Sequence, residues 1–189
     1  MDCELIRAGF PAQPIDAFTA LAFVVAGMLL VTRRRGPALY GVLLVAVGTT
    51  SFLLHGVGLD GVVESVAVVS LASWVVLWVT LGATSRTVWT WVGVTAGLGT
   101  LLLIAPDSRH VVTAIVAGAA VVLLVRLRSR RLWAALALAG GAVVVHALSR
   151  SGGPWCAPSS PLQGHGIWHL TMAAALWMVG DELATQADS

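Results

Sequence analysis

Charge is what this chain has least of. Only 11% of its 189 residues are charged, and lysine is missing altogether, so arginine carries all of the positive charge. A soluble domain carries roughly 25% charged residues. With so little polar surface the chain cannot coat a water-soluble globule. The net charge of +2 is small and dispersed, which gives no ground for a nucleic-acid partner. Cysteine is nearly absent. Cys3 and Cys156 stand one near each end, with no CxxC pair, which argues against a structural zinc knuckle. The first apolar run has no basic residue immediately before it and three arginines after it, the reverse of a secretory signal peptide, so it is expected to stay in the mature protein.

Apolar residues take up the room left by charge: 58% of the chain is hydrophobic, with a mean hydropathy of +0.89. In a bilayer every backbone polar group must be paired within its own segment, so long apolar runs become helices. About 20 residues span the hydrocarbon. The runs predict a single all-α domain over 1–189, a polytopic bundle of seven transmembrane helices at 15–33, 37–56, 61–83, 87–105, 110–127, 131–149 and 163–181. Short connections favour an up-down arrangement. Glycines at 27, 48, 93, 97, 99, 118, 140 and 141 are read as sites of close helix packing in lipid.

Orientation follows from the arginines. With the N-terminus outside, Arg33, Arg34, Arg35, Arg86, Arg126, Arg128, Arg130 and Arg131 are cytoplasmic, while Arg7, Arg109 and Arg150 are not; eight plus three accounts for all eleven basic residues. That bias obeys the positive-inside rule. It places Trp89, Trp91 and Trp133 at the inner interface and the acidic tail 181–189 in the cytoplasm.

The same topology gathers all five histidines toward the outer side, and ionisable groups at membrane depth are commonly functional. His165 and His169, in Gly164-His165-Gly166-Ile167-Trp168-His169, stand one turn apart on one helix face, the spacing of two ligands to one ion. Without the glutamate of HExxH this is not the zincin motif. His55, at the outer end of helix 2, reaches the same layer, and three histidines plus water is a common catalytic zinc arrangement. Ser51 lies one turn below His55, placed to bond a zinc-held water or a substrate carbonyl. His110 and His146 read as ordinary interfacial histidines, although His146 is an alternative to His55. A carboxylate is needed to take a proton. Counting ~1.5 Å per residue, Arg35 to His55 is about 30 Å, Arg86 to Glu64 about 33 Å and Arg86 to Asp60 about 39 Å. Depth favours Glu64, and Asp60 stays open beside it.

Ser-x3-His on helix 2, an acidic residue early in helix 3 and His-x3-His on helix 7 resemble the CREST superfamily of seven-helix zinc hydrolases, which includes the alkaline ceramidases and the adiponectin-receptor-like proteins. Residues 164–170 are similar to the GHxxWH stretch of alkaline ceramidases, Cys3-Glu4 to their N-terminal Cys-Glu, and residues 13–23 to the segment entering their first helix. The resemblance runs from residue 3 to about 178. It implies zinc on His55, His165 and His169, a motif serine at Ser51, and a calcium site near Glu4, Gln13 and Asp16. The family's helix-3 aspartate has no gapless match here: Leu59-Asp60 fits in letters, Glu64 in depth. Cys3 and Cys156 both fall on the outer side of this topology, where an oxidising compartment allows a disulfide. The resemblance implies the same bridge. Adiponectin-receptor-like proteins have the opposite orientation, so the arginine count agrees with the ceramidase branch.

The function expected is a zinc-dependent hydrolase of a membrane lipid amide, an N-acyl lipid, in the cell membrane, working near the outer face. Zinc would lower the pKa of its water toward ~7, Asp60 or Glu64 would take the proton, and Ser51 would help hold the carbonyl oxygen. The alternatives are a heptahelical metal carrier or sensor using the same histidines, and a receptor-like protein in which they are satisfied polar contacts. A carrier needs polar residues at all depths, and the inner helix halves have almost none. The Ala/Val/Gly/Arg-rich, lysine-free composition suggests a GC-rich bacterial source, which argues against ceramide itself as the physiological substrate.

Overall fold

The computed structural model describes residues 3–33 and 38–187. Arg34 and Arg35, used above for orientation, lie outside the described residues, as do the last two residues of the tail. Among the described residues seven α-helices follow one another: α1 (Pro14–Thr32), α2 (Ala38–Val57), α3 (Gly61–Leu81), α4 (Ser85–Ile104), α5 (Arg109–Arg126), α6 (Arg130–Ser149) and α7 (Gly164–Ala187), with a 3-10 turn at Pro106–Ser108. Six are long and apolar enough to cross a membrane, the fifth counted from Pro106; α7 falls outside that set. Its composition is diluted by His165, His169, Asp181 and Glu182, which the fold places within or against the bundle.

Local chemistry sets the boundaries. Pro14 opens α1, where its missing N–H has no partner to lose. Asp60 caps α3 by accepting from Val62 N at 2.8 Å, and Thr84 caps α4 by accepting from Thr87 N at 3.1 Å. The connection 150–163 between α6 and α7 lies within one residue of the gap expected between the sixth and seventh predicted helices. Helix α7 runs past residue 181 into the expected tail, because Asp181 is held at its end by Arg33 and Arg131 at 2.8 and 2.6 Å.

Helix α1 packs against α2 and α7, α3 against α2, α4 and α5, and α6 mainly against α7. Apolar side chains fill the centre, with Phe23, Tyr40, Leu44, Trp74, Leu132 and Leu183 each almost fully buried. Many large apolar residues of α4, α5 and α6 point outward, such as Leu103, Ile104, Ile115 and Val144. In water that surface would be costly; against lipid it is the expected exterior.

Glycine roles divide sharply. A Cβ on Gly27 would come within 2.5 Å of the Gly41 carbonyl oxygen, and one on Gly48 within 2.8 Å of Val24 N, so α1 and α2 touch backbone to backbone. Gly93, Gly97, Gly118, Gly140 and Gly141 meet nothing within 4 Å, and Gly99 makes only ordinary contact, which corrects the packing role expected for them. They lie on helix faces that no neighbouring helix covers, where a missing side chain brings nothing closer. Trp91 also departs from the aromatic belt: it turns inward and donates Nε1–H to the Ser70 carbonyl at 2.9 Å, because α4 packs on α3 there. Trp89 and Trp133 are exposed, as belt residues would be.

Gly48→Leu is therefore expected to destabilise the protein by about 1–3 kcal/mol, whereas Gly97→Ala, with open space at its Cβ, is expected to be neutral or to stabilise by up to about 1 kcal/mol. Thermal unfolding in detergent micelles measures both.

Candidate metal centre

Antiparallel packing brings four helix ends together: the starts of α1 and α7 and the ends of α2 and α6. His55 comes from the last turn of α2 and is 3% exposed; His169 comes from the second turn of α7 and is fully buried; His165, one turn earlier, is half-buried. Their ring centroids are 4.9 Å (His55–His165), 5.4 Å (His55–His169) and 4.4 Å (His165–His169) apart. One ligand atom from each lies within 4.8 Å of the other two. Tetrahedral zinc, with Zn–N bonds of roughly 2.0–2.1 Å, sets its ligand nitrogens about 3.4 Å apart. The widest pair has to close by about 1.4 Å, which rotation of the imidazole side chains would have to supply. The donor set, neutral imidazole in an apolar bundle, suits zinc or another imidazole-favouring metal.

Each imidazole has a fixed neighbour at Nδ1. His55 Nδ1 is 3.0 Å from Gln13 Oε1, His169 Nδ1 is 3.0 Å from Thr19 Oγ1, and His165 Nδ1 is 2.9 Å from His146 Nδ1. Ser51, almost fully buried, places its Oγ 3.3 Å from His169 Nε2. Its neighbour Thr50 instead bonds back to the Ala46 and Val47 carbonyls. Trp168 stacks on His165 at 5.1 Å and 27°, forming one wall of the site.

The start of the chain straps this cluster. Ala12 N and Gln13 N donate to the Gly56 and His55 carbonyls, both at 2.9 Å, and so complete the end of α2. Glu4 is buried and caps α1, its two carboxylate oxygens accepting from Ile15 N and Asp16 N at 3.0 and 2.9 Å. Cys3 is disulfide-bonded to Cys156 in the α6–α7 connection, which ties the strap to the approach of α7. On that approach Gln163, buried, donates to the carbonyls of Ala157, Pro158 and Ser160 and leads directly into α7.

Two glycines let α7 come this close. A Cβ on Gly164 would overlap the Ser149 side chain of α6, and one on Gly166 would meet Ile15 Cγ2 and Thr19 Oγ1 of α1, both at 3.1 Å.

The structure thus brings together His55, His165, His169 and Ser51. It adds His146, which is a direct neighbour of His165 and not the plain interfacial residue expected: α6 packs along α7 and its last turns share the histidine layer. His110 is exposed beside Arg109, away from this cluster. Asp60 is exposed and caps α3; Glu64, one turn on, is half-buried. No carboxylate joins the three-histidine group among the described residues. Of the three expected calcium ligands, Glu4 and Gln13 are engaged as described, and Asp16 is fully buried on the first turn of α1. Gln13 and Thr19, absent from the expected metal site, are contacts that only the packing of α1 against α2 and α7 reveals. A polar residue one turn into an apolar helix was the available signal for Thr19.

Comparison with protein-family models and with curated proteins found no match.

Gly166→Val is expected to push α7 away from α1 and to lower zinc affinity by roughly tenfold or more, with Gly166→Ala much milder. Zinc content after dialysis against graded chelator measures this.

Proposed function

We propose that the chain is a seven-span, zinc-dependent membrane hydrolase acting on a lipid amide, with its N-terminus outside and its site near the outer face. The observation that carries the reading is the buried meeting of His55, His165 and His169 beside the Ser51 hydroxyl. The orientation draws support from Arg33 and Arg131, which converge on Asp181 at the end of the bundle away from the histidines. Below the histidine layer the interior is filled by Leu44, Trp74, Ala173 and Val179, which favours a site open at one level over a path for ions.

Zinc, when bound by the three imidazoles, would supply an acidified water and a Lewis acid for an amide carbonyl. The residues around it would do the rest. Ser51 Oγ, next to His169 Nε2, is placed to donate to a carbonyl oxygen as negative charge develops there. Trp168 and the apolar faces of α1 and α7 keep bulk water away and offer acyl chains a matching surface. Asp60 already serves as a helix cap from an exposed position, so Glu64 is the carboxylate we assign to proton acceptance. Calcium is left out of this reading, because both oxygens of Glu4 are engaged by the N–H groups of α1.

His169→Ala is expected to abolish zinc binding and hydrolysis of N-acyl lipids together. Glu64→Gln is expected to keep zinc and to lose hydrolysis at least 100-fold. Metal analysis and a lipid-amide hydrolysis screen on purified protein test both, and activity surviving in a zinc-free His169→Ala protein would refute the assignment.

A further inference from the structure

We infer that Gln13, Thr19 and His146 form a positioning shell that sets the tautomer of all three histidines, each imidazole carrying its proton on Nδ1 and presenting Nε2 to the metal. This rests on the metal-binding part of the proposed function and not on its hydrolytic part.

Hydrogen-bond direction follows from the partners at two of the arms, and at the third we assign it to match them. The Glu4 backbone carbonyl only accepts, so the Gln13 atom 3.2 Å from it is the Nε2 donor, and the atom 3.0 Å from His55 is the Oε1 acceptor. His55 Nδ1 must then carry the proton. Thr19 has one hydroxyl hydrogen, which goes to the backbone carbonyl of Ile15 at 2.7 Å or of Asp16 at 3.2 Å. Its oxygen can therefore only accept from His169, and His169 Nδ1 carries the proton too. At His165 the contact is ring to ring, Nδ1 to Nδ1 at 2.9 Å, so one ring donates and the other accepts. Donation by His165 makes its tautomer match the other two and assigns His146 the acceptor Nδ1. A neutral imidazole protonated at Nδ1 keeps its lone pair at Nε2. The position of Ser51, against Nε2 of His169, marks the same inward face.

The three supports come from three places: the segment before α1, the second turn of α1, and α6. The Gln13 arm continues outward through Glu4 to the Cys3–Cys156 bridge, so the orientation of His55 is fixed by a chain of contacts that starts at the disulfide. In metal sites such outer partners fix ring orientation and raise ligand basicity, and losing one commonly costs 10–100-fold in metal affinity.

Three measurements on the protein in detergent test this. Wild-type protein loaded with zinc and labelled with 15N-histidine should show three imidazoles protonated at Nδ1 and metal-bound at Nε2. A metal-bound Nδ1 in any of the three overturns the assignment without recourse to a variant. Zinc dissociation constants by chelator competition should rise 10–100-fold in Gln13→Leu, Thr19→Val and His146→Leu, and stay within about threefold of wild type in Thr19→Ser and His146→Asn, which keep an acceptor. The visible spectrum of the cobalt-loaded forms should shift in the first set and hold in the second. Unchanged affinity in the first set removes the positioning shell and leaves the metal site standing. Wild-type protein that binds no zinc removes the metal site itself.

Discussion

The constraint on which the structure turns is the cost of putting imidazoles inside an apolar bundle. A polar group taken from water into such an interior without a partner loses several kcal/mol, roughly 2–7 depending on the reference state. His169 is fully buried and His55 nearly so. Both are tolerable only because a partner waits at a fixed distance, Thr19 Oγ1 for one and Gln13 Oε1 for the other. Ridding the layer of these groups would give a more conventional core. Their retention together, at one level and facing one point, is what a metal site requires and a purely packed bundle does not.

Much of the surrounding architecture follows from that requirement. The chain ahead of α1 has no apolar run of its own, yet it is held by the carbonyls of His55 and Gly56, by the carboxylate of Glu4 and by the disulfide. Those contacts convert a segment that would otherwise fray into a wall of the site. The 153-residue separation of Cys3 and Cys156 means that the bridge closes a loop holding α1 to α6, and a covalent closure of that span reduces the freedom of the unfolded chain substantially. The glycines at 164 and 166 act in the same direction by letting α7 approach α6 and α1 closely enough for its histidines to share the layer.

The helices were legible in the sequence because lipid imposes one rule on backbone polar groups, and long apolar runs obey it visibly. Their predicted positions lie within a few residues of the observed ones except where α7 continues to Ala187, since nothing in the composition of 181–187 announces that Asp181 will find Arg33 and Arg131. His55, His165 and His169 were legible through i, i+4 spacing and depth, quantities that a helix converts directly into position. The Nδ1 partners were not. Gln13 precedes a helix, Thr19 lies inside one and His146 lies on another; what joins them to the histidines is the rotation of each helix about its axis, which hydropathy does not report when apolar residues surround the helix. The five open glycines were misread for the same reason: small residues allow close packing, but only the neighbour's presence makes them do so.

Rotation and register of α7 are fixed at both ends and in the middle. At the histidine end Thr19, Ser51 and His146 hold its first two turns. Midway, Tyr40 of α2 donates its hydroxyl to the Leu176 carbonyl at 2.8 Å, and its ring lies where a Cβ on Gly180 would be. At the far end Asp181 accepts from Arg33 and Arg131, whose guanidinium groups lie 5.1 and 5.5 Å from the Trp177 ring centre. Twelve residues separate His169 from Asp181, about 18 Å of helix at 1.5 Å per residue. A slip of one residue would turn the helix by about 100°, taking both imidazoles out of the cluster and Asp181 away from its arginines at once. The two ends therefore exclude the same errors. The helix that falls outside the six apolar candidates for crossing a membrane is held at both ends and midway by polar contacts, and it carries two of the three metal-ligand candidates.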